Sequence, residues 1–418
     1  MQKLLTYNEY LVKRRAGIKS NLLYIALERI ALWKLRLFRP IIRFFLSTSS
    51  PTPCDILVLP SGPADISQTK GVWDNLEKNG YKIEYANYTL KSIFLNALRS
   101  KEKIESEVHT SIFLFAAYCK FLLNKYNPKT VCVFYHHNMI PSFLMKYKDK
   151  SQKIIHIPHG MQPDHYLYTS FDFDYYLVFG ESSIEAIKKK KLRIGNTKLI
   201  KTGSTTLKKE YSLEPNKELK NILFFSDYWP EMYPRERRFF DIVFDWAKQH
   251  PEYNLLVKQH PVEKGDLLRS YAKGIDNVEV LDKSVGIKEA LERTSLCIVG
   301  WSVASLEAAQ MNRPVVVANF REYDPDSDDY VKSDSFLHLE KFFPKRAGTS
   351  EELHERISEV VGDYEKYLGR CREFVHFHLE HTTESNKFAA QVISNIHLNS
   401  TEIEYTEVEE TLETLNQE

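Results

Sequence analysis

Short apolar runs alternate with amphipathic segments in two stretches of the chain, about 55–204 and 221–320. Runs of this length, bounded by Gly, Pro or polar residues, are typical of buried strands, and the segments between them have helical spacing. Strands that alternate with helices predict a parallel sheet covered by helices. The polar segment 206–220 has no apolar run and is interpreted as a linker. The pattern therefore predicts an α/β protein of two Rossmann-like domains that face each other.

The apolar runs also define the expected elements. The predicted strands are 55–62, 81–87, 131–137, 153–160, 175–181 and 198–204, then 221–227, 253–260, 277–282, 296–302 and 313–319. The predicted helices are 69–79, 105–126, 139–148, 182–191, 234–250, 285–294 and 303–312. The domain boundaries that follow are 52–205 and 221–345, with mostly helical residues at 346–400.

The two ends of the chain differ from the middle in charge. Residues 1–48 carry ten Lys and Arg against two Glu, whereas 401–418 carry seven Glu and no basic residue. Apolar and basic residues interleave at helical spacing over 20–47, and Pro40 is expected to break or kink that helix. This extension is either an amphipathic anchor for an anionic membrane surface or a helix packed on the protein's own domain. The acidic tail is predicted to be disordered or weakly helical.

Composition narrows the class of protein. The 418 residues are 43% hydrophobic and 13% aromatic, as in globular domains, and the net charge of +1 does not point to nucleic acid. The five cysteines show no C-x-x-C or metal-ligand spacing, which favours a reducing compartment. A membrane-spanning helix would need a run of about 18 apolar residues, and none occurs. We therefore expect a cytoplasmic protein, at most peripheral at the inner face of the cytoplasmic membrane.

KQHP closes a predicted strand of the second domain, at the strand end where ligands of open α/β sheets bind. The imidazole of His260 could donate to a phosphate oxygen, Lys258 could add positive charge, and Pro261 ends the strand. The alternative is that His260 only caps a turn.

GWSVASLEAAQ (300–310) follows another strand of the second domain and starts a helix. Backbone N–H groups at such a helix start bind anions, and the hydroxyls of Ser302 and Ser305 could add donors. Glu307 is placed to accept from ribose hydroxyls. The alternative is that Ser302 caps the helix and Glu307 is a solvated helical acid.

The first domain offers candidates for a base. His159 follows a predicted strand in IPHGMQPDHY, next to Gly160, and Asp164 lies in the same loop. Asp65 ends another strand in PSGPAD. A histidine or carboxylate could deprotonate an acceptor hydroxyl, although each is also an ordinary turn residue.

Two further strand ends give weaker candidates for donor contacts. Ser226 lies in SDYWP, and Gly203 lies in TGS. The acid clusters DFD (172–174) and DPDSDD (324–329) are interpreted as loop acids and not as metal ligands.

KQHP (258–261), WSVASLEAAQMNRPVV (301–316) and HG (159–160) together resemble motifs of the GT-B glycosyltransferases of bacterial surface polysaccharide synthesis. The group that they resemble contains capsule Kdo transferases, bacterial sialyltransferases and CDP-glycerol glycerophosphotransferases. The resemblance implies that the HP histidine and the serines contact the donor phosphate, that the acid after them contacts ribose, and that the HG histidine is the base. This chain departs from the sialyltransferase pattern: it has no acidic pair followed by Gly in the first domain, and its serines are spaced S-x-x-S.

The resemblance implies a metal-independent glycosyltransferase that needs no cofactor beyond its nucleotide-activated donor. The donor would be cytidine-linked, with a sugar such as Kdo or sialic acid, and a UDP-sugar is the other option. The acceptor would be a saccharide or lipid-linked glycan of capsule, lipopolysaccharide or another surface polymer. The alternatives are a glycerophosphotransferase that uses CDP-glycerol, a UDP-sugar 2-epimerase-like enzyme, and a non-catalytic nucleotide-binding assembly protein. A membrane-directed N-terminus would favour a lipid-linked acceptor over the epimerase.

Overall fold

The chain folds into two compact units, each with its own parallel sheet. The computed structural model describes residues 50–86, 89–99, 110–134, 139–158, 160, 168–205, 212–226, 230, 237–260, 263–300, 302, 304–318, 339–400 and 403–412, together with 33, 37, 40 and 41. The first unit comprises Met1–Phe179, Ser183–Thr206 and Ser385–Glu418, and the second comprises Gly180–Ser182 and Leu207–Glu384.

The first unit is built on a seven-stranded sheet in the order β13-β7-β5-β4-β3-β1-β2. All neighbours are parallel except β13, which pairs antiparallel with β7. Its strands are β1 (Ile56–Leu59), β2 (Ile83–Tyr85), β3 (Thr130–Val133), β4 (Lys153–His156), β5 (Tyr175–Val178), β6 (Leu192–Arg193), β7 (Thr197–Lys201), β13 (Thr406–Val408) and β14 (Thr411–Leu412). Its helices are α1 (Pro63–Gln68), α2 (Lys70–Lys78), α3 (Leu90–Arg99), α4 (Thr110–Tyr126), α5 (Ile140–Tyr147), α6 (Glu181–Lys189) and α14 (Ser385–His397).

Alternate residues of β1 face the two layers of core in this unit. Leu57 and Leu59 pack with the helices α3, α4 and α5, whereas Ile56 and Val58 pack with α2 and α14. Side chains that alternate across a strand and are apolar on both faces require a sheet covered on both sides. The C-terminal helix α14 supplies part of that cover, so the end of the chain completes the first unit.

The second unit has a five-stranded sheet in the order β10-β9-β8-β11-β12, with every pair parallel. Its strands are β8 (Asn221–Phe225), β9 (Asn254–Lys258), β10 (Val278–Val280), β11 (Leu296–Val299) and β12 (Val315–Val317). Its helices are α7 (Arg238–Gln249), α8 (Asp266–Ala272), α9 (Ile287–Glu292), α10 (Ala304–Gln310), α11 (Leu339–Phe342), α12 (Ser350–Gly362) and α13 (Tyr364–His378). The chain runs outward from β8 through β9 to β10 and then returns to the other side of β8, so the order reverses between β8 and β11.

All eleven predicted strands are present, although several are shorter than predicted, and the alternation with helices is confirmed. The sequence patterns missed β6, α1, α3, α8 and α11, of which all but α3 are seven residues long or shorter. Cys132 and Cys297 are buried in strands as expected, and all five cysteines are buried thiols.

For residues 403–412, the described part of the acidic tail, the prediction of disorder or weak helix was wrong. Residues 406–408 form an edge strand of the first sheet, and 411–412 pair with β6. The sheet edge supplies backbone hydrogen-bond partners, and Lys198 forms an ion pair with Glu407 at 3.7 Å. Val408 is buried in the core beside β7. Pairing and burial therefore order a segment whose composition suggested disorder.

Of the predicted linker, residues 212–220 contain no helix or strand. They are tied to the second unit by Asn312, whose Nδ2 donates to Leu213 O at 2.8 Å, and by buried Arg313, whose Nη1 donates to Glu214 O at 2.9 Å. The remaining linker residues, 206–211, lie outside the described part of the chain.

The described residues of the basic extension, 33, 37, 40 and 41, are helical. Trp33, Leu37 and Ile41 expose 61%, 50% and 56% of their surface. The rest of the extension lies outside the described residues. Pro40 and Ile41 are both helical, and the break expected near Pro40 stays a prediction because the residues on either side of them are not described. No helix within the described ranges has the length and apolar character needed to cross a membrane.

Candidate functional site

The carboxyl ends of the strands beside the β8–β11 reversal bring together the main candidates of the second unit. Ser226 follows β8 and His260 follows β9, while Ser302 follows β11. The pairing of Phe225 with Lys258 sets the ends of β8 and β9 level. In open α/β sheets, ligands bind outside the carboxyl ends of the strands at such a reversal. The candidates therefore lie where the topology favours a ligand.

The turn after β9 is fastened to the end of β8. The backbone N–H of His260 donates to Ser226 Oγ at 3.0 Å and to Glu263 Oε2 at 3.2 Å. Ser226 Oγ donates to Glu263 Oε2 at 2.5 Å, and both residues are buried. The sequence suggested that the Ser226 hydroxyl contacts the nucleotide donor. In the structure this hydroxyl instead stabilises the turn after β9.

Two basic groups of KQHP reach this turn. Burial lowers the pKa of the partly buried His260, so the imidazole is neutral at neutral pH and has one N–H to donate. Burial also lowers the pKa of Lys258, while nearby Asp282 opposes that change. Lys258 Nζ donates to Lys283 O at 3.4 Å, and Pro261 lies outside the described residues.

The turn after β11 is closed by its own serines. Ser302 Oγ accepts from the N–H of Ala304 at 3.2 Å, and Ser302 O accepts from Ser305 Oγ at 2.8 Å. Ser305 is fully buried, so its hydroxyl stabilises the turn, whereas Ser302 is only partly buried. Gly300 allows close packing before this turn, because a Cβ there would lie 3.0 Å from the ring of Phe239.

Glu307 is an acid beside the β11 turn whose pKa is shifted by burial. It lies in the first turn of α10, and desolvation raises the pKa of its carboxyl to about 7. We find no hydrogen-bond or ion-pair partner for this carboxyl among the described residues. A carboxyl that is desolvated and without a partner near a ligand position is a candidate to accept hydrogen bonds from a ligand. Glu307 is only partly buried, so its two interpretations, as a ribose contact and as a helical acid, stay predictions.

The first unit gives a different picture of the candidate bases. Asp65 is buried, and its Oδ2 accepts from the backbone N–H groups of Ser61 at 2.5 Å and Gly62 at 3.2 Å and from the Ser61 hydroxyl. This is the geometry of a carboxylate that closes the turn between β1 and α1. His159 and Asp164 lie outside the described residues, so their assignment stays a prediction.

The glycines of the first unit differ in their conformations. Gly203 has a φ of +76°, which favours glycine at the turn after β7. Gly160 has no described atom within 4 Å of a Cβ placed on it. Asp172 and Asp174, of the DFD cluster, accept from Ser142 Oγ at 2.5 Å and from the N–H of Ile154 at 2.7 Å, as expected of loop acids.

Sequence reasoning missed Glu263, which lies in the turn after β9, and Lys283, which contacts that turn. Glu263 is fully buried, and the ammonium of Lys283 donates to its backbone carbonyl. The only sequence signal is an acid three residues after the histidine of KQHP. Such spacing is common on surfaces, and only the folded turn shows that the acid is directed inward.

Comparisons with known proteins show the fold. No family model matches the chain, and no curated protein matches it. Among solved structures, a putative UDP-N-acetylglucosamine 2-epimerase from Listeria monocytogenes is 12% identical with a TM-score of 0.53 and matches 84% of this chain and 98% of its own. S. aureus MnaA in complex with UDP is 13% identical (TM-score 0.52; 82% and 97% covered). A variant of the wall teichoic acid polymerase TagF soaked with CDPG is 11% identical (TM-score 0.50; 92% and 100% covered). The chain therefore has the two-domain GT-B fold.

Proposed function

We propose that this protein is a glycosyltransferase that takes a sugar from a nucleotide-activated donor, with the nucleotide bound by the second unit. The observation that carries the proposal is the grouping of His260, Ser302 and the desolvated Glu307 at the strand ends beside the β8–β11 reversal. Neutral hydrogen-bond donors suit phosphate oxygens, and an acid without a partner suits ribose hydroxyls.

In this proposal the phosphate lies between the β9 and β11 turns. His260 and Ser302 donate to its oxygens, and Lys258 supplies positive charge as the sugar–phosphate bond breaks and negative charge develops on the leaving group. Glu307 accepts from the ribose. Ser226 and Ser305 hold the two turns in place. The acceptor hydroxyl attacks the sugar carbon and loses its proton to a base of the first unit, for which His159 is the first candidate and Asp164 the second.

The nucleotide is the first property to test. Among the similar structures, MnaA is bound to UDP and the TagF variant was soaked with CDPG, and the sequence motifs favour cytidine. We expect CDP or CMP to raise the melting temperature more than UDP, GDP or ADP, because a ligand stabilises the state that binds it. His260→Ala and Ser302→Ala should each weaken binding of that nucleotide at least tenfold by calorimetry. Unchanged affinity in both variants would rule out this site.

The reaction is tested separately from binding. A transferase releases the nucleotide only when an acceptor is present, whereas a 2-epimerase, which the similar structures also include, converts a UDP-sugar alone. Turnover of UDP-N-acetylglucosamine without acceptor would favour the epimerase. Binding without turnover of CDP-glycerol, CMP-sugars or UDP-sugars would favour an assembly protein. We expect EDTA to leave activity unchanged, because the proposed phosphate contacts come from side chains.

The N-terminal extension supports a membrane-linked acceptor within the same proposal. Trp33, Leu37 and Ile41 recur at helical spacing and are exposed, and Lys34, Arg36 and Arg39 lie between them in the sequence. Apolar and basic residues in this pattern are typical of helices that bind anionic lipid. Deletion of residues 1–48 should abolish sedimentation with phosphatidylglycerol vesicles, whereas phosphatidylcholine vesicles should bind neither form. Equal sedimentation of the deletion variant would refute the anchor.

A further inference from the structure

Glu263 differs from the surface acids of the second unit because its side chain is completely buried beside the candidate site. It is 0% exposed and lies three residues after His260, in the connection between β9 and α8. Its Oε2 accepts hydrogen bonds from Ser226 Oγ, which follows β8, and from the backbone N–H of His260, which follows β9. One carboxylate oxygen therefore joins the ends of two neighbouring strands.

Further contacts hold the same turn from its other sides. The N–H of Glu263 donates to His260 O at 3.0 Å, and Lys283 donates to Glu263 O. The side chain of Gln259 lies against Gly265, where a Cβ would be 2.7 Å from Gln259 Nε2. The backbone of His260 is thus fixed by hydrogen bonds on both its N–H and its carbonyl.

A fully buried carboxylate cannot touch a ligand unless the turn opens. Its effect on a ligand must therefore pass through the groups to which it is bonded. The backbone N–H of His260 is one of these groups, and the direction of the imidazole depends on the backbone that bears it. Ser226 is the other, and its hydroxyl is shared between Glu263 and the same N–H.

We propose that Glu263 is a positioning residue of the donor site, which acts with Ser226 to fix the turn that presents the His260 imidazole. This inference rests on the proposed function, because His260 is taken there as a phosphate contact. It assigns Ser226 to the same task, so that neither residue touches the donor. Removal of either group leaves the N–H of His260 without one of its two acceptors and allows the turn to change.

The binding test uses CDP and UDP with three single variants and one double variant. Glu263→Ala and Ser226→Ala should each raise the dissociation constant of the bound nucleotide at least tenfold. The double variant should raise the dissociation constant no more than the worse single variant does, because both substitutions disrupt the same hydrogen-bonded group. Glu263→Gln keeps the volume and a carbonyl oxygen that can accept both bonds, so it should bind within threefold of the unaltered protein. An equal loss of nucleotide affinity in E263Q and E263A would show that side-chain volume and a hydrogen-bond acceptor at position 263 do not hold the turn. That result would overturn the positioning role.

A second measurement needs no nucleotide. In protein labelled with ¹³Cε1-histidine, the His260 signal is identified by its loss in His260→Ala. Glu263→Ala and Ser226→Ala should shift that signal and its titration midpoint, whereas Glu263→Gln should not. The signal of His250, which lies before β9 at the opposite strand end, is the internal control. If E263A fails to fold by circular dichroism, S226A, which loses one hydroxyl, provides the test.

The two measurements separate this inference from the proposed function. An unmoved His260 signal in folded E263A and S226A would refute the positioning role whatever the nucleotide result. Failure of the unaltered protein to bind CDP or UDP would count against the proposed function alone, and the histidine spectrum would still decide the role of Glu263.

Discussion

Burial moves two titratable groups beside the β8–β11 reversal, His260 and Glu307, towards their uncharged forms. The pKa of His260 is lowered and the pKa of Glu307 is raised, in both cases by desolvation. A histidine and a glutamate in the sequence would suggest a charged pair, whereas near pH 7 the pKa of about 7 leaves the Glu307 carboxyl only partly ionised. Charge at this site therefore depends on pH and on what binds.

Glu307 should make the protein less stable as pH rises. Its pKa is about 7 in the folded state against an ordinary 4.5, so the folded state holds the extra proton between these values and stability falls with rising pH. The full effect is at most about 3 kcal/mol, reached above pH 7. Glu307→Gln should therefore gain stability relative to the unaltered protein between pH 5 and pH 8. Urea unfolding at several pH values measures the difference, and the same substitution at the exposed Glu289 of α9 is the control.

Gly180 should tolerate no side chain, because a Cβ would lie 2.7 Å from the backbone oxygen of His378. Ser182 Oγ is 2.8 Å from His378 Nδ1, so residues 180–182 lie tightly against the end of α13. Gly180→Ala should cost about 1–3 kcal/mol by overpacking. Gly369→Ala, within α13 and with no atom within 4 Å, should instead stabilise by about 0.5–1 kcal/mol. Thermal unfolding of both variants tests this, and equal effects would contradict it.

At the scale of elements, the positions of strands were easier to predict than the strands with which they pair. Residues 56–59 and 296–299 are apolar throughout, which only a sheet covered on both faces explains. The strand at 406–408 was missed because four of the five residues 406–410 are polar or charged. It forms because β7 offers an open edge, and that edge becomes visible only after the sheet has formed.

Deletion of residues 401–418 should therefore expose the edge of β7. An unpaired edge strand is a template for pairing with another chain, and the buried contact of Val408 would be lost. We expect a lower melting temperature and concentration-dependent association, measured by light scattering after gel filtration. Deletion of 413–418 alone keeps β13 and β14 and is the matched control. A monomer as stable as the control would show that the edge needs no cover.

At the scale of the whole molecule, the sequence placed the phosphate site in the second half of the chain and the base in the first. The second-half site gains support from the strand order, because the reversal lies between β8 and β11. The equivalent reversal of the first sheet lies between β1 and β3, where Asp65 closes a turn. The other two candidates for the base, His159 and Asp164, lie outside the described residues.

Nucleotide binding should protect the second unit selectively. In hydrogen–deuterium exchange, CDP or UDP should slow exchange in peptides that cover 222–226, 255–260 and 296–310, because bound ligand suppresses local opening. Peptides over 56–59 and 130–133 serve as the internal comparison, and His260→Ala should abolish the protection. Protection centred on the first-unit peptides would place the nucleotide on the other sheet.

The sequence by itself determined the fold class, the division into two sheets and the strand ends that carry polar residues. These follow from local periodicity, because the apolar pattern of a segment by itself indicates whether it forms a buried strand. Tertiary structure decided what the polar residues do. The hydroxyls of Ser226 and Ser305 form hydrogen bonds within turns, Glu307 is desolvated, and Glu263 is directed inward. The sequence did not show these outcomes, because they depend on how the folded chain surrounds each residue. The same reason applies to the tail, which is ordered by an edge about 200 residues away.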